Sequence, residues 1–347
     1  MFEQMENTGL ERLHFASDPE SGLQAIIAIH STILGPAIGG CRFIEYDSDA
    51  DAIFDACRLA RGMSYKAALA DLPHGGAKSV IIKPRRPFDR QQLMQAFGRF
   101  VDNLGGAYIA AMDSGTQTSD MDAIRSSTRY VTCTSDIGDP SPFTARGVVA
   151  GIQAAVASKL GHDNLSGISV AIQGLGHVGF AVAQQLHQLG ARLFVADIDR
   201  SRMEAAVNQL DAIPVACDEI LKVRVDVLCP CGLGAIINDQ SIQQLHCRII
   251  AGSANNQLLD EQHGEQLQQM GILYAPDYLI NAGGLIFAAL QHTGHSHEAI
   301  DRKVCAIGTA LRQLFDMAER SGTPTHRIAN QQADAIISEA RRLTSAA

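Results

Sequence analysis

The spacing of apolar positions changes along the chain, and the changes predict its elements. Leu23 to His30 (LQAIIAIH) has the apolar density of a buried strand, and Ser79 to Lys83 (SVIIK) is a short β-branched run stopped by Pro84. Between them, Asp51 to Leu69 carries Ile53, Cys57, Ala60, Ser64, Ala67 and Ala68 at helical spacing. Tyr108 to Ala111 is another strand-like run, just ahead of Asp113. Turn formers crowd DIGDPSPFT, between Ser135 and Ala145, and mark an interdomain hinge. Beyond it, Ala145 to Leu160 reads as a helix rich in Ala and Gly, with Thr144 as its cap. From Gly167 strands and helices alternate. Strands are expected at Ile168–Ile172, Arg192–Ala196, Val225–Leu228, Arg248–Ala251 and Ile272–Ala275, and a helix at Gly179–Leu189. Parallel strands with helices on both faces follow from that alternation. Asn281 to Ala347 reads as largely helical.

Length makes this two domains, since 347 residues exceed the usual single-domain size of ~100–200. Apolar residues at 46% and charged residues at 19% supply a core and exclude a disordered chain. The net charge of −9 repels phosphate backbones and anionic lipid, so no nucleic-acid or membrane partner is expected. No apolar run reaches the ~18–20 residues of a bilayer span. Met1 to Arg12 carries Glu3, Glu6 and Glu11 in place of a basic, then apolar, secretory leader. The eight cysteines show no CxxC spacing, which suits reduced thiols in a cytoplasmic protein. No internal repeat or low-complexity segment is present.

The strongest local signal is Gly174-Leu175-Gly176-His177-Val178-Gly179. Alone, such a glycine triplet is weak evidence. Here it follows an expected strand, opens an expected helix, and precedes a second strand that ends just before Asp197. Gly174 permits the tight turn, Gly176 lets backbone approach a pyrophosphate, and Gly179 allows close helix–strand packing. The helix N-terminus offers N–H groups to the phosphates. Asp197 is placed to accept bonds from an adenine-ribose diol. A carboxylate there repels a 2′-phosphate, which favours NAD over NADP despite Arg200 and Arg202 nearby.

Three charged groups in the first third lie among small or apolar neighbours: Lys66 in MSYKAA, Lys78 after His74-Gly75-Gly76-Ala77, and Asp113 before Ser114-Gly115-Thr116. A solitary lysine is ordinarily a surface or snorkelling charge. Burial among apolar groups instead disfavours the ammonium form and makes the amine usable as a base. A second lysine that stays charged suits a substrate carboxylate.

Taken in order, GPAIGGCR (35–42), MSYKAA, GGAKSVI, AAMDSGT, PFTA, GLGHVG, GSANNQ (252–257) and PDYLINAGG (276–284) resemble the glutamate/leucine/phenylalanine/valine dehydrogenases, over about Leu23 to Gln291. Within that family the motifs look most like the leucine branch. The resemblance implies an α/β fold, with an N-terminal α/β substrate/catalytic domain plus a Rossmann-type dinucleotide-binding domain and a cleft between them. The expected division is 1–140 for substrate, catalysis and oligomerisation, 141–325 for NAD, and a C-terminal helix over 326–347 packing back toward the first domain. It implies oxidative deamination of an L-amino acid, with hydride passing to NAD. Lys66, aided by the backbone at Gly39 and Gly40, would bind the substrate carboxylate. Lys78 would activate water as the base, and Asp113 would shuttle protons to and from the amino group. Thr144, Asp113 and Asn255 would touch the cofactor, and Cys229-Pro230-Cys231 would form a turn near the nicotinamide-side ribose. A homo-oligomer is implied, and no metal.

Ile38 stands where the glutamate enzymes of this family have a lysine, so an apolar substrate side chain is expected. Leu285 and Ala288, after a turn at Gly283-Gly284, would form the other pocket wall. Ala288 replaces the family's usual valine, which leaves room for phenylalanine or tryptophan. Ala77 replaces a third glycine, and His177 an asparagine of the fingerprint. An aromatic amino-acid dehydrogenase is therefore the alternative, followed by a catalytically silent NAD-binding regulator. A 2-hydroxy-acid dehydrogenase would need a histidine–carboxylate couple and would not explain two lysines. His292, His295 and His297 invite a metal reading, but Gly294 interrupts the helix and no further ligand completes a site. Arg85-Arg86 reads as solvated surface.

Overall fold

The computed structural model describes residues 5–6, 8–232 and 234–345. Part of the stretch read for a leader (Met1–Gln4 and residue 7) and the last two residues of the expected 326–347 segment lie outside the described residues. The chain forms two compact units.

The first unit comprises 1–140 together with Leu285–Ser296 and Ala333–Ala347. Its elements run β1 (Arg12–Asp18), β2 (Leu23–Ser31), β3 (Ala37–Ile44), α1 (Asp49–Leu69), β4 (Gly75–Ile82), α2 (Arg90–Asp102), β5 (Tyr108–Met112) and α3 (Thr118–Arg125). The sheet has the order β1-β2-β4-β3-β5. β1, β2 and β4 run antiparallel, whereas β3 pairs parallel with both β4 and β5. The continuous apolar stretches of β2 and β4 are explained by burial on both faces of the sheet interior. Ser48 caps α1, its side chain accepting from the Asp51 amide. α1 then lies tight on β4, because a Cβ at Gly76 would stand 2.0 Å from the Ser64 amide nitrogen.

The second unit comprises Ser141–Gly284 and His297–Gln332. It runs α4 (Ser141–Leu160), β6 (Ser169–Gln173), α5 (His177–Gln188), β7 (Arg192–Ala196), α6 (Arg200–Leu210), β8 (Ile213–Pro214), β9 (Val225–Pro230), β10 (Cys247–Ile250), α7 (Glu261–Gln269), β11 (Leu273–Tyr274), α8 (Asp277–Ile280), α9 (Gly283–His292), α10 (His297–Ser321) and α11 (Thr325–Ser345). α9 and α11 begin here and end in the first unit. All strand pairs are parallel, in the order β11-β10-β9-β6-β7-β8. The chain thus winds outward from β6 twice, once to each side, and its switch point lies between β6 and β9. That is the dinucleotide-binding topology, with ligands held beyond the carboxyl ends of the strands.

Two local expectations change. α4 starts at Ser141, so Thr144 is inside its first turn and does not cap it. Pro142 is tolerated there because the first helical amides have no intrahelical partner to lose. Gly283 and Gly284 are helical residues opening α9, not a turn. A Cβ on Gly283 would stand 2.2 Å from the Phe143 carbonyl oxygen, so the glycine serves close packing on α4. Gly294 does break the helix: its φ is +76°, between α9 and α10. The span Leu285–Ser296, read from sequence as part of 141–325, groups with the first unit.

Candidate active site

In the first unit, β3, β4 and β5 deliver the polar groups from adjacent strands. Lys78, in β4, is 4% exposed, and Lys66, in the last turn of α1, is 8% exposed. Each charge is thus buried, as the apolar context of its motif suggested. Asp113 directly follows β5, and Lys78 Nζ donates to its Oδ2. Burial opposes the charged form of Asp113, but Lys78 and Arg42 outweigh it and hold the carboxyl below its ordinary range. Thr116 Oγ1 accepts from the Asp113 amide at 2.9 Å and donates to the Cys41 carbonyl at 3.0 Å, which fixes the turn.

The Gly39-Gly40 pair makes room. A Cβ on Gly39 would fall 1.7 Å from the Ala77 carbonyl oxygen. One on Gly40 would lie 2.6 Å from Asp113 Cβ and 3.2 Å from Lys78 Nζ. Tyr108 Oη donates to the Gly39 carbonyl at 2.8 Å and also meets Ser79 Oγ, anchoring that backbone. Ala77 is fully buried in β4, opposite Ile29, and is not among the positive-φ residues, so its methyl strains nothing. Ile38 is fully buried and registers with Gly76 on one side and Ile109 on the other. Leu285 and Ala288 are buried on α9, where the Ala288 carbonyl accepts from Thr132 Oγ1 at 3.2 Å.

Sequence reasoning assigned no role to Arg42, Asp55 or Tyr46, which the structure joins to this group. Arg42 Nη1 donates to Asp55 Oδ2 at 2.6 Å, Tyr46 Oη donates to the same oxygen at 2.7 Å, and Arg42 Nε is 3.4 Å from Asp113 Oδ2. The available signal was a charge inside the otherwise apolar strand AIGGCRFI.

In the second unit, Gly174–Gly179, Asp197, Cys229–Cys231 and Asn255 lie at or just beyond the carboxyl ends of β6, β7, β9 and β10, whereas Thr144 lies in α4 and Asp113 in the first unit. Gly174 has a φ of +94°, and its amide donates to the Ala196 carbonyl at 2.8 Å. Asp197 accepts from the Leu175 amide at 2.6 Å and, through its other oxygen, from the Asp199 amide at 2.8 Å. The carboxylate therefore braces the glycine-rich turn. A Cβ on Gly179 would stand 2.0 Å from the Gly174 carbonyl oxygen, so that glycine serves helix–turn packing. Gly176 differs: a Cβ there would meet only Arg202 Nη1, at 4.0 Å, and the space above it is open. Leu175, Gly176 and His177 line a surface depression with Phe180, Ser201 and Arg202, while Val178 lies in the first turn of α5. An open glycine backbone at the N-terminus of α5 fits a pyrophosphate.

Beside this turn, the Cys231 amide donates to the Gln173 carbonyl at 2.7 Å, and the Cys229 and Cys231 sulfurs are 3.6 Å apart. The contact pushes the Cys229 thiol up and the Cys231 thiol down from their ordinary range. Pro230 accepts from the Ala254 amide at 2.9 Å, which joins the turn to the loop of Asn255. Asn281 Nδ2 donates to Asn255 Oδ1 at 2.8 Å and to the Ser253 carbonyl at 3.0 Å, orienting that amide. Thr144 is in α4 of the same unit.

Comparison with known proteins accords with both halves. Residues 11–130 match the family model for "Glu/Leu/Phe/Val dehydrogenase, dimerisation domain", and residues 139–201 and 195–345 that for "Glutamate/Leucine/Phenylalanine/Valine dehydrogenase". The leucine dehydrogenase of Thermoactinomyces intermedius is 46% identical, over 99% of this chain and 95% of that protein. The phenylalanine dehydrogenase of Bacillus thermotolerans is 42% identical, over 96% and 89%. The crystal structure of L-tryptophan dehydrogenase from Nostoc punctiforme superposes with a TM-score of 0.83 at 40% identity, covering 99% of this chain and all of that one. The fold, the motifs and these matches together make the chain a member of the Glu/Leu/Phe/Val dehydrogenase family, amino-acid dehydrogenases that use a nicotinamide cofactor.

Proposed function

We propose that this protein is an NAD-dependent dehydrogenase of apolar L-amino acids with L-leucine preferred. It reversibly converts the amino acid, NAD⁺ and water to the 2-oxo acid, ammonium, NADH and a proton. The observation that carries the reading is the buried Lys78–Asp113 pair beside Gly40, in a chain 46% identical to a leucine dehydrogenase.

Lys66 keeps its charge and binds the substrate carboxylate, and the side-chain-free backbone of Gly39 and Gly40 admits it closely. A nicotinamide bound to the second unit would supply the acceptor for the hydride lost from the α-carbon. Lys78, as a free amine, takes a proton from the water that attacks the imino carbon. Asp113 accepts and returns the proton that moves on and off the departing nitrogen. Gly174 to Gly179 would hold the pyrophosphate, and Asn255, Thr144 and the Cys229–Cys231 turn would hold the nicotinamide ribose. Asp197 favours NAD, since its carboxylate repels a 2′-phosphate. Ile38, Leu285 and Ala288 receive the substrate side chain. Ile38 offers no partner for a γ-carboxylate, whose unpaired burial is costly. The small Ala288 admits phenylalanine as a slower substrate, because a methylene's worth of space discriminates by only ~1–3 kcal/mol.

A homo-oligomer accords with the dimerisation-domain match over residues 11–130, and a reducing, cytoplasmic setting with eight free cysteines. Among the described residues, no helix is long and apolar enough to cross a membrane. The test is a panel of single L-amino acids with NAD at alkaline pH, followed by NADH absorbance. Leucine should lead valine and phenylalanine, with glutamate silent. Phenylalanine well ahead of leucine would shift the assignment to the aromatic branch. NAD binding without turnover of any amino acid would leave only a silent binder.

A further inference from the structure

The Lys78–Asp113 pair poses an electrostatic problem for the mechanism. A carboxylate in contact with a buried lysine stabilises the ammonium, whereas the proposed base must be a free amine. The structure places a second cation on the far side of the carboxylate. Lys78, Asp113, Arg42 and Asp55 form a line of alternating charge, and their side chains are 5%, 18%, 18% and 16% exposed. Asp55 holds Arg42 by the 2.6 Å bond from Nη1, and Tyr46 holds Asp55 by its 2.7 Å bond. Arg42 Nε is buried and makes no hydrogen bond among the described residues, although Asp113 Oδ2 is 3.4 Å away. A guanidinium cannot lose its proton in this range and presents its donors in a rigid plane. Its Nε–H is therefore an unused donor that lies 3.4 Å from the carboxylate Lys78 now holds, and a small turn of either side chain would engage it.

We propose that Arg42 is the positioning residue of this site: a fixed cation that shares Asp113, keeps its carboxylate from locking Lys78 as an ammonium, and receives it at Nε when Lys78 turns to its water. The proposal rests on the reading of Lys78 as the base. It assigns Asp55 the opposite influence, since that carboxylate offsets the charge of Arg42. Other ionisable groups around the line come from every neighbouring element. Cys41 on β3 has its thiol pushed up to about 12 by burial, and Tyr108 on β5 is pushed well up by burial. Both are uncharged in the working range. Asp120 on α3 is paired with Arg90 of α2 at 2.6 Å, and Lys66 of α1 is common to all variants below.

The test compares wild type with Arg42→Met, Arg42→Lys and Asp55→Asn in the intact protein. Two readouts are taken against pH: labelling of Lys78 by acetic anhydride without cofactor, followed by peptide mass spectrometry, and kcat/KM for L-leucine. Without the Arg42 charge, both curves should move to higher pH by roughly one unit, with about a tenfold loss of kcat/KM on the rising limb. Asp55→Asn should move both to lower pH by a fraction of a unit, and Arg42→Lys should lie between wild type and Arg42→Met. A merely structural role for Arg42 would lower activity in both deletions without opposite displacements. Displacements of the same sign, or an unmoved labelling curve, would overturn the proposal. If Arg42→Met does not fold, Asp55→Asn alone decides by the sign of its shift. A wild type inactive with every amino acid would sink the functional reading and this proposal with it, whereas an active wild type without the opposite displacements would sink the proposal alone.

Discussion

At the scale of single residues, the candidate site depends on atoms that are missing as much as on those present. Gly40 leaves the space that Lys78 and Asp113 occupy, and a methyl group there would lie within 2.6 Å of Asp113 Cβ. Gly40→Ala should therefore cut kcat/KM by at least about a hundredfold while the circular dichroism spectrum is kept, since displacements of ~1 Å at a reacting group have that effect. His30 gives a prediction of another kind. Desolvation, with Arg61 and Arg341 nearby, lowers its pKa from 6.5 to about 4. The folded state thus holds a neutral imidazole where the unfolded chain binds a proton between those values. Stability should be flat above pH 6.5 and fall as pH drops toward 4, by on the order of 3 kcal/mol from this group. His74 and His326, also lowered by burial, add to the same slope. Thermal melts against pH should show the decline, and His30→Phe should flatten it. The burial of Lys66 and Lys78 was legible in the sequence because each charge sits among small or apolar neighbours. Arg42 carried the same signal, but its partner Asp55 lies 13 residues on, in an amphipathic helix where a carboxylate looks solvated. Such a pairing is set by strand–helix packing and leaves no local pattern.

Elements were legible where one period dominated. β7 matches its expected span, Arg192–Ala196, and β2, β9 and α1 differ by a residue or two at their ends. β3 carries no strand pattern in the sequence, because its two glycines, cysteine and arginine break any alternation. Its stability comes from β4 and β5 on either side. The start of α9 departs from the expected turn for a related reason: a Gly-Gly pair is a poor local helix former, and contact with α4 explains its helical form. The same distinction separates two glycines near α1. Gly62, inside the helix, has nothing within 4 Å of the point where a methyl would stand, whereas Gly76 faces Ser64 backbone at 2.0 Å. Gly62→Ala should raise stability by ~1 kcal/mol in urea titration. Gly76→Ala should lower it and weaken substrate binding through Lys66, two residues from the displaced Ser64.

For the molecule as a whole, the glycine-rich turn offers a test that separates nucleotide binding from folding. Gly176 opens to space, so Gly176→Val should keep the melting temperature of the free protein near that of wild type. NADH at a hundred times its Kd should stabilise wild type by about 2.7 kcal/mol and the variant hardly at all. Differential scanning fluorimetry with and without NADH reads both. The two-unit organisation was legible only in outline. A turn-rich hinge before Ala145 and a change to regular strand–helix alternation are local features, and the family resemblance implies the return of the C-terminal helix, whereas the grouping of Leu285–Ser296 with the first unit has no local signal. Leu285–His292 is helical, like its neighbours, and the bond from Thr132 to Ala288 shows where it belongs, as the contact of Tyr65 with Asp334 does for the C-terminal helix.

That interleaving has an evolutionary corollary. The backbone passes between the units four times, at 140/141, 284/285, 296/297 and 332/333, so neither unit is a contiguous cassette. Recombination with one breakpoint would leave every descendant with mismatched halves of a packed body. Altered coenzyme or substrate preference in this lineage is therefore expected to accumulate by point replacement in place, at positions such as Asp197 and Ala288, and not by exchange of modules.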